Sequence, residues 1–247
     1  MSGTFDFRSL ARQIVDWIYP PVCVSCGEHG SLLCGNCRSA LPRVEAPFCP
    51  KCGKPLRKGS RGCRLCSFSE FSFTASRAPY IYKGPAAVMI RELKYKGAMG
   101  LIPILADLLY DFWPELHWDT DVIIPVPLSD KRKGQRGFNQ SEMIGRAFAR
   151  KAGIVFDPRA LAKIRHTAQQ VGLKADERRR NLNGAFAAER LLVQGKRILL
   201  LDDVMTTGST FSEFSAVLLD AGAVSVHCLS VTTTSTEDET QAILNTV

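Results

Sequence analysis

No run of apolar residues in this 247-residue chain approaches the 18 or so needed to cross a bilayer, so a membrane-spanning role is excluded. The opening stretch, MSGTFDFRSLARQIVDWIYP, lacks the basic start, apolar centre and small-residue cleavage site of a secretory leader, and the expected location is the cytoplasm. There is no G-x-x-x-x-G-K-[ST] phosphate loop and no G-x-G-x-x-G turn, which argues against nucleoside triphosphates and dinucleotides as ligands. Internal repeats and long low-complexity segments are also missing. What remains is ordinary for a globular protein: 45% hydrophobic and 23% charged residues. The net charge of +8 favours anionic partners without choosing among phosphates, nucleic acid and acidic proteins.

Cysteine is the conspicuous presence. Eight of the nine form four Cys-x-x-Cys pairs: Cys23/Cys26, Cys34/Cys37, Cys49/Cys52 and Cys63/Cys66. Two such knuckles complete a tetrahedral shell of four thiolates, so eight cysteines predict two zinc ions. A redox dithiol explains one pair but not four, and a cytoplasmic location disfavours disulfides. The seven-residue gap from Cys26 to Cys34 suits a small hairpin and favours pairing in sequence order; a cross-braced arrangement joining alternate pairs is the other option. With four thiolates each, the zincs have no open position and are structural. Cys228, alone in an apolar pattern, reads as a small buried residue. The cations Arg57, Lys58, Arg61 and Arg64 fit either a solvated loop or contact with phosphate backbones.

Composition changes near residue 70. Residues 1–73 are expected to form an N-terminal helix, with Leu10, Ile14, Trp17 and Ile18 on one face packed on the protein's own body, followed by a double zinc ribbon. In residues 74–247 short strands (80–82, 121–127, 197–203, 224–232) alternate with helices (85–95, 101–112, 141–151, 210–221). The fold class is therefore α/β, a mainly parallel sheet flanked by helices. The last residues, 233–247, are polar.

The stretch ILLLDDVMTTGST, residues 198–210, carries the chemistry. Four apolar residues lead into Asp202 and Asp203, then into Thr206, Thr207, Gly208, Ser209 and Thr210. In an open α/β sheet ligands collect at the C-terminal ends of the strands, and a helix beginning there offers free N–H groups to a phosphate. Paired acids repel a lone phosphate; they suit a ligand that also presents hydroxyls, or one accompanied by a divalent cation. A ribose 5-phosphate has that shape. Helix capping needs one Asp or Thr, not two acids and T-T-G-S-T.

This stretch closely resembles the signature of type I phosphoribosyltransferases, which bind 5-phosphoribosyl-1-pyrophosphate (PRPP) with magnesium. The resemblance gives Asp202 and Asp203 the catalytic role and the ribose hydroxyls, and the loop through Val204, Met205, Thr206, Thr207, Gly208, Ser209 and Thr210 the 5-phosphate. Together with LKYKG (93–97), PVPLSDKRKGQRGFNQSE (125–142), RHTAQQVGLKADERRRNLNGAF (165–186) and the four knuckles, the chain resembles the ComF family. Its members join a double zinc ribbon to a phosphoribosyltransferase-like domain, and some are tied to DNA uptake in natural transformation. By that resemblance Lys131, Arg132 and Arg136 face the pyrophosphate, and Arg165, Gln169, Gln170 and Arg178 belong to a flexible loop that closes over the reaction. Lys94 and Lys96 fit either the same site or plain surface. The expected function is transfer of phosphoribosyl to an acceptor that no segment spells out, with other competence proteins as further partners. The alternative is a non-catalytic module that handles single-stranded DNA, with PRPP regulatory or vestigial.

Overall fold

The computed structural model describes residues 20–60, 62–128, 134–163 and 186–235. The expected N-terminal helix, Arg61, Lys131, Arg132, Lys133, the 165–183 loop residues and residues 236–247 lie outside them. Among the described residues no helix is long and apolar enough to cross a membrane.

Two short helices, α1 (Gly35–Ser39) and α2 (Arg64–Phe68), sit in the zinc-ribbon segment. There follow β1 (Ala75–Arg77), β2 (Tyr80–Ile81), α3 (Gly84–Lys96), α4 (Leu101–Phe112), a 3-10 turn (Trp113–Leu116), β3 (Val122–Pro125), α5 (Gln140–Ala152), β4 (Val155–Phe156), β5 (Leu161–Lys163), β6 (Phe186–Ala188), α6 (Arg190–Val193), β7 (Arg197–Met205), α7 (Ser209–Asp220) and β8 (Ser225–Thr233). The main sheet runs β1-β8-β7-β3-β4, with β2 continuing beside β8. Every pairing in it is parallel. β5 and β6 form a separate antiparallel pair. The expected parallel sheet with flanking helices is thus observed. The expected strands and helices fall within a few residues of their predicted positions; β1, β4 and the β5–β6 pair, each two or three residues long, are too brief for periodicity to show.

The unbroken apolar runs of the central strands follow from a sheet covered on both faces. Leu199, Leu201, Ile123, Leu229 and Val231 point into one buried cluster with α3, α4 and α5. Ile198, Leu200, Val122, Ile124, Val226 and Cys228 point into the other, with Phe211, Phe214, Val217 and Leu218 of α7. Cys228 is the buried small residue its surroundings implied.

The zinc-ribbon segment divides between these faces. Cys23, Leu33, Cys34, Cys37 and Leu41 join the first cluster beside α4. Leu32 lies so close to Gly100 that a Cβ there would meet its Cδ1 at 2.5 Å. Cys49, Cys52 and Cys63 join the second cluster. Ion pairs Arg38–Asp111 (2.9 Å) and Arg43–Glu115 (3.0 Å) lie at the exposed rim, where such pairs add little.

Candidate functional site

The cysteines gather as Cys23, Cys26, Cys34, Cys37 and as Cys49, Cys52, Cys63, Cys66, each set with its sulfurs within 4.8 Å of one another. This is the pairing in sequence order. Sulfurs of Cys26 and Cys34 are 3.6 Å apart, those of Cys49 and Cys66 3.6 Å, and those of Cys52 and Cys63 3.5 Å. A disulfide needs about 2.05 Å. Zinc–sulfur bonds of about 2.3 Å put tetrahedral sulfurs about 3.8 Å apart, so both sets fit zinc. With all four ligands supplied by protein, the metal serves structure.

The paired acids lie near the C-terminal end of β7. Up to Leu201, odd residues face the first cluster and even residues the second; Val204 packs on the first and Met205 belongs to the second. The alternation of side chains therefore changes phase across Asp202–Asp203. Neighbouring strand residues otherwise point to opposite faces; here helices of one face reach both carboxylates. Ser141 of α5 donates its Oγ–H to Asp202 Oδ1 at 2.6 Å, and the Asp203 N–H donates to the same oxygen at 2.8 Å. Lys94 Nζ of α3 lies 2.9 Å from Asp203 Oδ2, and the Asp203 side chain is only 3% exposed. Burial raises the Asp202 carboxyl to about 7; the Asp203 charge adds to this, while the Ser141 and Asp203 hydrogen bonds and Lys94 oppose it. At neutral pH Asp202 is thus poised between its acid and its anion.

Ser141 is held by a cap. Asn139 Oδ1 accepts from the N–H groups of Ser141 (3.1 Å) and Glu142 (3.4 Å), while its Nδ2 donates to the Val126 carbonyl (3.0 Å). One side chain ties the start of α5 to the end of β3. No local pattern marks Ser141 as functional, because its partner Asp202 lies 61 residues away.

Thr206, Thr207, Ser209 and Thr210 are exposed, while Gly208 is buried. Gly208 occupies the left-handed region (φ 78°) and, as the N-cap residue, brings no side chain to α7; Thr207 Oγ1 accepts from the Ser209 N–H at a long 3.4 Å. Thr207 Oγ1 and Ser209 Oγ share a hydrogen bond at 2.7 Å. The first turn of a twelve-residue helix thus presents N–H groups beside hydroxyls, an arrangement suited to an anion.

Across the strand ends, Arg136 is half-buried with its guanidinium 5.6 Å from the ring of exposed Tyr95. The cleft beside it, about 320 Å³, is lined by Leu128, Gly137, Phe138, Asn139, Glu142 and Met143. Of the two lysines in LKYKG, Lys94 reaches the acids, whereas Lys96 pairs with Glu92 at 2.9 Å on the surface.

A double zinc ribbon domain model matches residues 14–67. The DNA utilization protein YhgH of Salmonella typhimurium is 34% identical over 204 residues, covering 80% of this chain and 89% of YhgH. Competence protein F of Haemophilus influenzae is 30% identical over 202 residues, covering 79% and 87%. The chain belongs to the ComF family. Another relative, competence protein ComFC of Bacillus subtilis, is 26% identical over 200 residues, covering 77% of this chain and 79% of that protein. Among solved structures, this ComF-family chain is similar to the glutamine PRPP amidotransferase of B. subtilis (24% identity, TM-score 0.38, covering 52% of this chain and 25% of that one). It is also similar to the adenine phosphoribosyltransferase of Leishmania tarentolae (17% identity, TM-score 0.35, covering 64% and 65%).

Proposed function

We propose that this protein binds PRPP with magnesium and transfers its phosphoribosyl group to an acceptor, releasing pyrophosphate, in the service of DNA utilisation. One observation carries the reading: at one strand end, an acid pair held by Lys94 and Ser141 lies beside a helix start with glycine at its N-cap and exposed hydroxyls around it. A diol next to a phosphate answers both halves. Asp202 and Asp203 accept from the ribose hydroxyls, and the N–H groups after Gly208 take the 5-phosphate. Asp202 and Asp203 would help to hold a magnesium ion bound with PRPP, and such an ion would supply charge neutralisation for pyrophosphate. The family resemblance assigns that leaving group to Arg136, Lys131 and Arg132. The chain's own share is positioning and charge stabilisation, since PRPP carries its leaving group with it. The DNA context comes from the relatives named for DNA utilization and competence.

Magnesium and PRPP at one hundred times Kd should stabilise the folded chain by about 2.7 kcal/mol, several degrees of melting temperature. The double replacement D202N/D203N should show no such shift. A wild-type melting curve indifferent to the pair ends the proposal. Pyrophosphate release, screened over nucleobases, amines and oligonucleotides, then identifies the acceptor.

A second reading, handling of single-stranded DNA, is favoured by one feature of the zinc segment. Phe68 is 83% exposed and Phe48 is 36% exposed, with the Arg77 guanidinium 5.0 Å from the Phe48 ring. Arg57, Lys58 and Arg64 are exposed in the same segment. Aromatic faces among cations suit stacked bases and phosphates. Oligonucleotide affinity, followed by fluorescence anisotropy, should then fall steeply with salt and weaken roughly tenfold in Phe68→Ala. No binding at low salt removes this reading.

A further inference from the structure

The second zinc ribbon and the proposed phosphate loop share a wall. The chain leaves α2 at Phe68 and enters the sheet at Ala75; between them Phe71 and Ser72 lie against residues 205–212. A Cβ built on Gly208 would meet Met205 Cε at 3.1 Å and Phe71 Cε1 at 3.2 Å, so the Phe71 ring fills the space under the loop's glycine. The Ser72 N–H donates to Ser212 Oγ in the first turn of α7 at 3.0 Å. Phe71 stacks on Phe73, with centroids 4.8 Å apart and planes 15° from parallel. Phe73 is fully buried in the cluster that holds Cys49, Cys52 and Cys63.

The knuckle itself grips the same structure from the other side. Lys51 donates to the Phe73 carbonyl, and its Nζ lies 5.5 Å from the Phe73 ring. Fully buried Lys54 donates to Thr234 Oγ1 at 2.8 Å, and the Thr234 N–H donates to the Met205 carbonyl at 3.1 Å. The Ser76 N–H donates to the Lys51 carbonyl at 2.8 Å, and Ser76 Oγ–H to Met205 Sδ at 3.0 Å. Gly53, between these lysines, sits where a Cβ would come 2.3 Å from the Ser76 carbonyl oxygen. Met205, the last residue of β7 before the loop, is thus enclosed by groups that the second ribbon holds in place.

We propose that Phe71 and Ser72 are positioning residues for the phosphate loop, and that through them the second zinc site governs whether that loop is formed. The proposal rests on the reading of the loop given under Proposed function. A loop with a left-handed glycine at its helix start, whose side-chain bonds of its own are those between exposed Thr207 and Ser209, has little else within it to hold one conformation. Its affinity for a phosphate falls in proportion to the fraction of molecules in the competent form. Zinc keeps the ribbon folded, and the folded ribbon keeps Phe71 under Gly208. The first ribbon's buried cysteines, Cys23, Cys34 and Cys37, belong to the opposite cluster, so the control is confined to the second site.

The test is amide hydrogen exchange on the full, ligand-free chain. Exchange at residues 206–212 should quicken at least tenfold in Phe71→Ala and stay within threefold of wild type in Phe71→Leu, which refills the space. Leu32→Ala, a comparable truncation in the first ribbon, should leave these amides within threefold. Cys66→Ser should bind one zinc per chain and quicken the loop while sparing α4. Should Cys66→Ser fail to fold, the Phe71 pair decides. Kd for magnesium–PRPP, by calorimetry, should follow the same ranking, rising tenfold in Phe71→Ala. Unchanged loop exchange in Phe71→Ala, or equal loosening by Leu32→Ala, overturns the proposal. A wild type that binds no PRPP rejects the reading of the site instead, and the exchange ranking still decides the coupling.

Discussion

Asp202→Asn should make the free protein more stable at pH 8 while abolishing its response to magnesium and PRPP. Burial and the Asp203 charge raise the Asp202 carboxyl from 3.8 to about 7. Below pH 4 the folded and unfolded chains both hold the proton. Between pH 4 and 7 the folded chain keeps a proton that the unfolded chain releases. Stability therefore falls as pH rises through that window, by up to about 1.4 kcal/mol per unit. Above pH 7 both states are ionised and the penalty is constant. Asparagine does not titrate, and its Oδ1 still accepts from Ser141 Oγ and the Asp203 N–H, the two donors at 2.6 and 2.8 Å. The gain at pH 8 should be on the order of 2 kcal/mol, roughly 5 °C in melting temperature, and should vanish at pH 4. Melting curves of both proteins at the two pH values check this. A variant less stable than wild type at pH 8 would show that Asp202 rests there as a well-compensated anion. A site that destabilises its own fold is what a group poised for a ligand produces.

Withdrawal of both zincs should dismantle the α/β part along with the ribbons. Three cysteines of the first set, Cys23, Cys34 and Cys37, lie in the buried cluster of α3, α4 and α5, and three of the second set lie in the cluster of α7. Apparent zinc binding energies in finger peptides are about 10–16 kcal/mol per site, against about 5–15 kcal/mol for a whole domain. Losing both sites opens both faces of the sheet at once. The reporters are Trp113, edge-on to Phe148 at 5.7 Å, and Trp118, stacked on His227 at 4.4 Å, both well away from the thiolates in sequence. In a chain with Trp17 replaced by phenylalanine, excess strong chelator at pH 8 should red-shift tryptophan emission and erase the cooperative melting transition. Emission that keeps its wild-type position would mean that the sheet folds without the ribbons.

Motifs that act within a few residues were legible from the amino-acid order. Cys-x-x-Cys spacing implies zinc because two thiolates three positions apart meet one ion whatever surrounds them. The apolar run 198–201 implies a strand buried on both faces, and residues 202–210 imply a strand end, a bare loop and a helix start. These are local consequences of backbone geometry and side-chain chemistry. Contacts between distant segments were not legible. Nothing in LKYKG says that Lys94 reaches Asp203 while Lys96 stays on Glu92; the path of α3 across the sheet decides that. Ser141 meets Asp202 because Asn139 fastens α5 to the end of β3. Likewise, the composition change near residue 70 separates the ribbons from the sheet on paper, yet Phe71 and Phe73 fill space beneath Gly208 and beside the second set of cysteines. Sequence periodicity records which face of an element is buried; which neighbour buries it depends on how the elements pack, and that packing exists only in three dimensions.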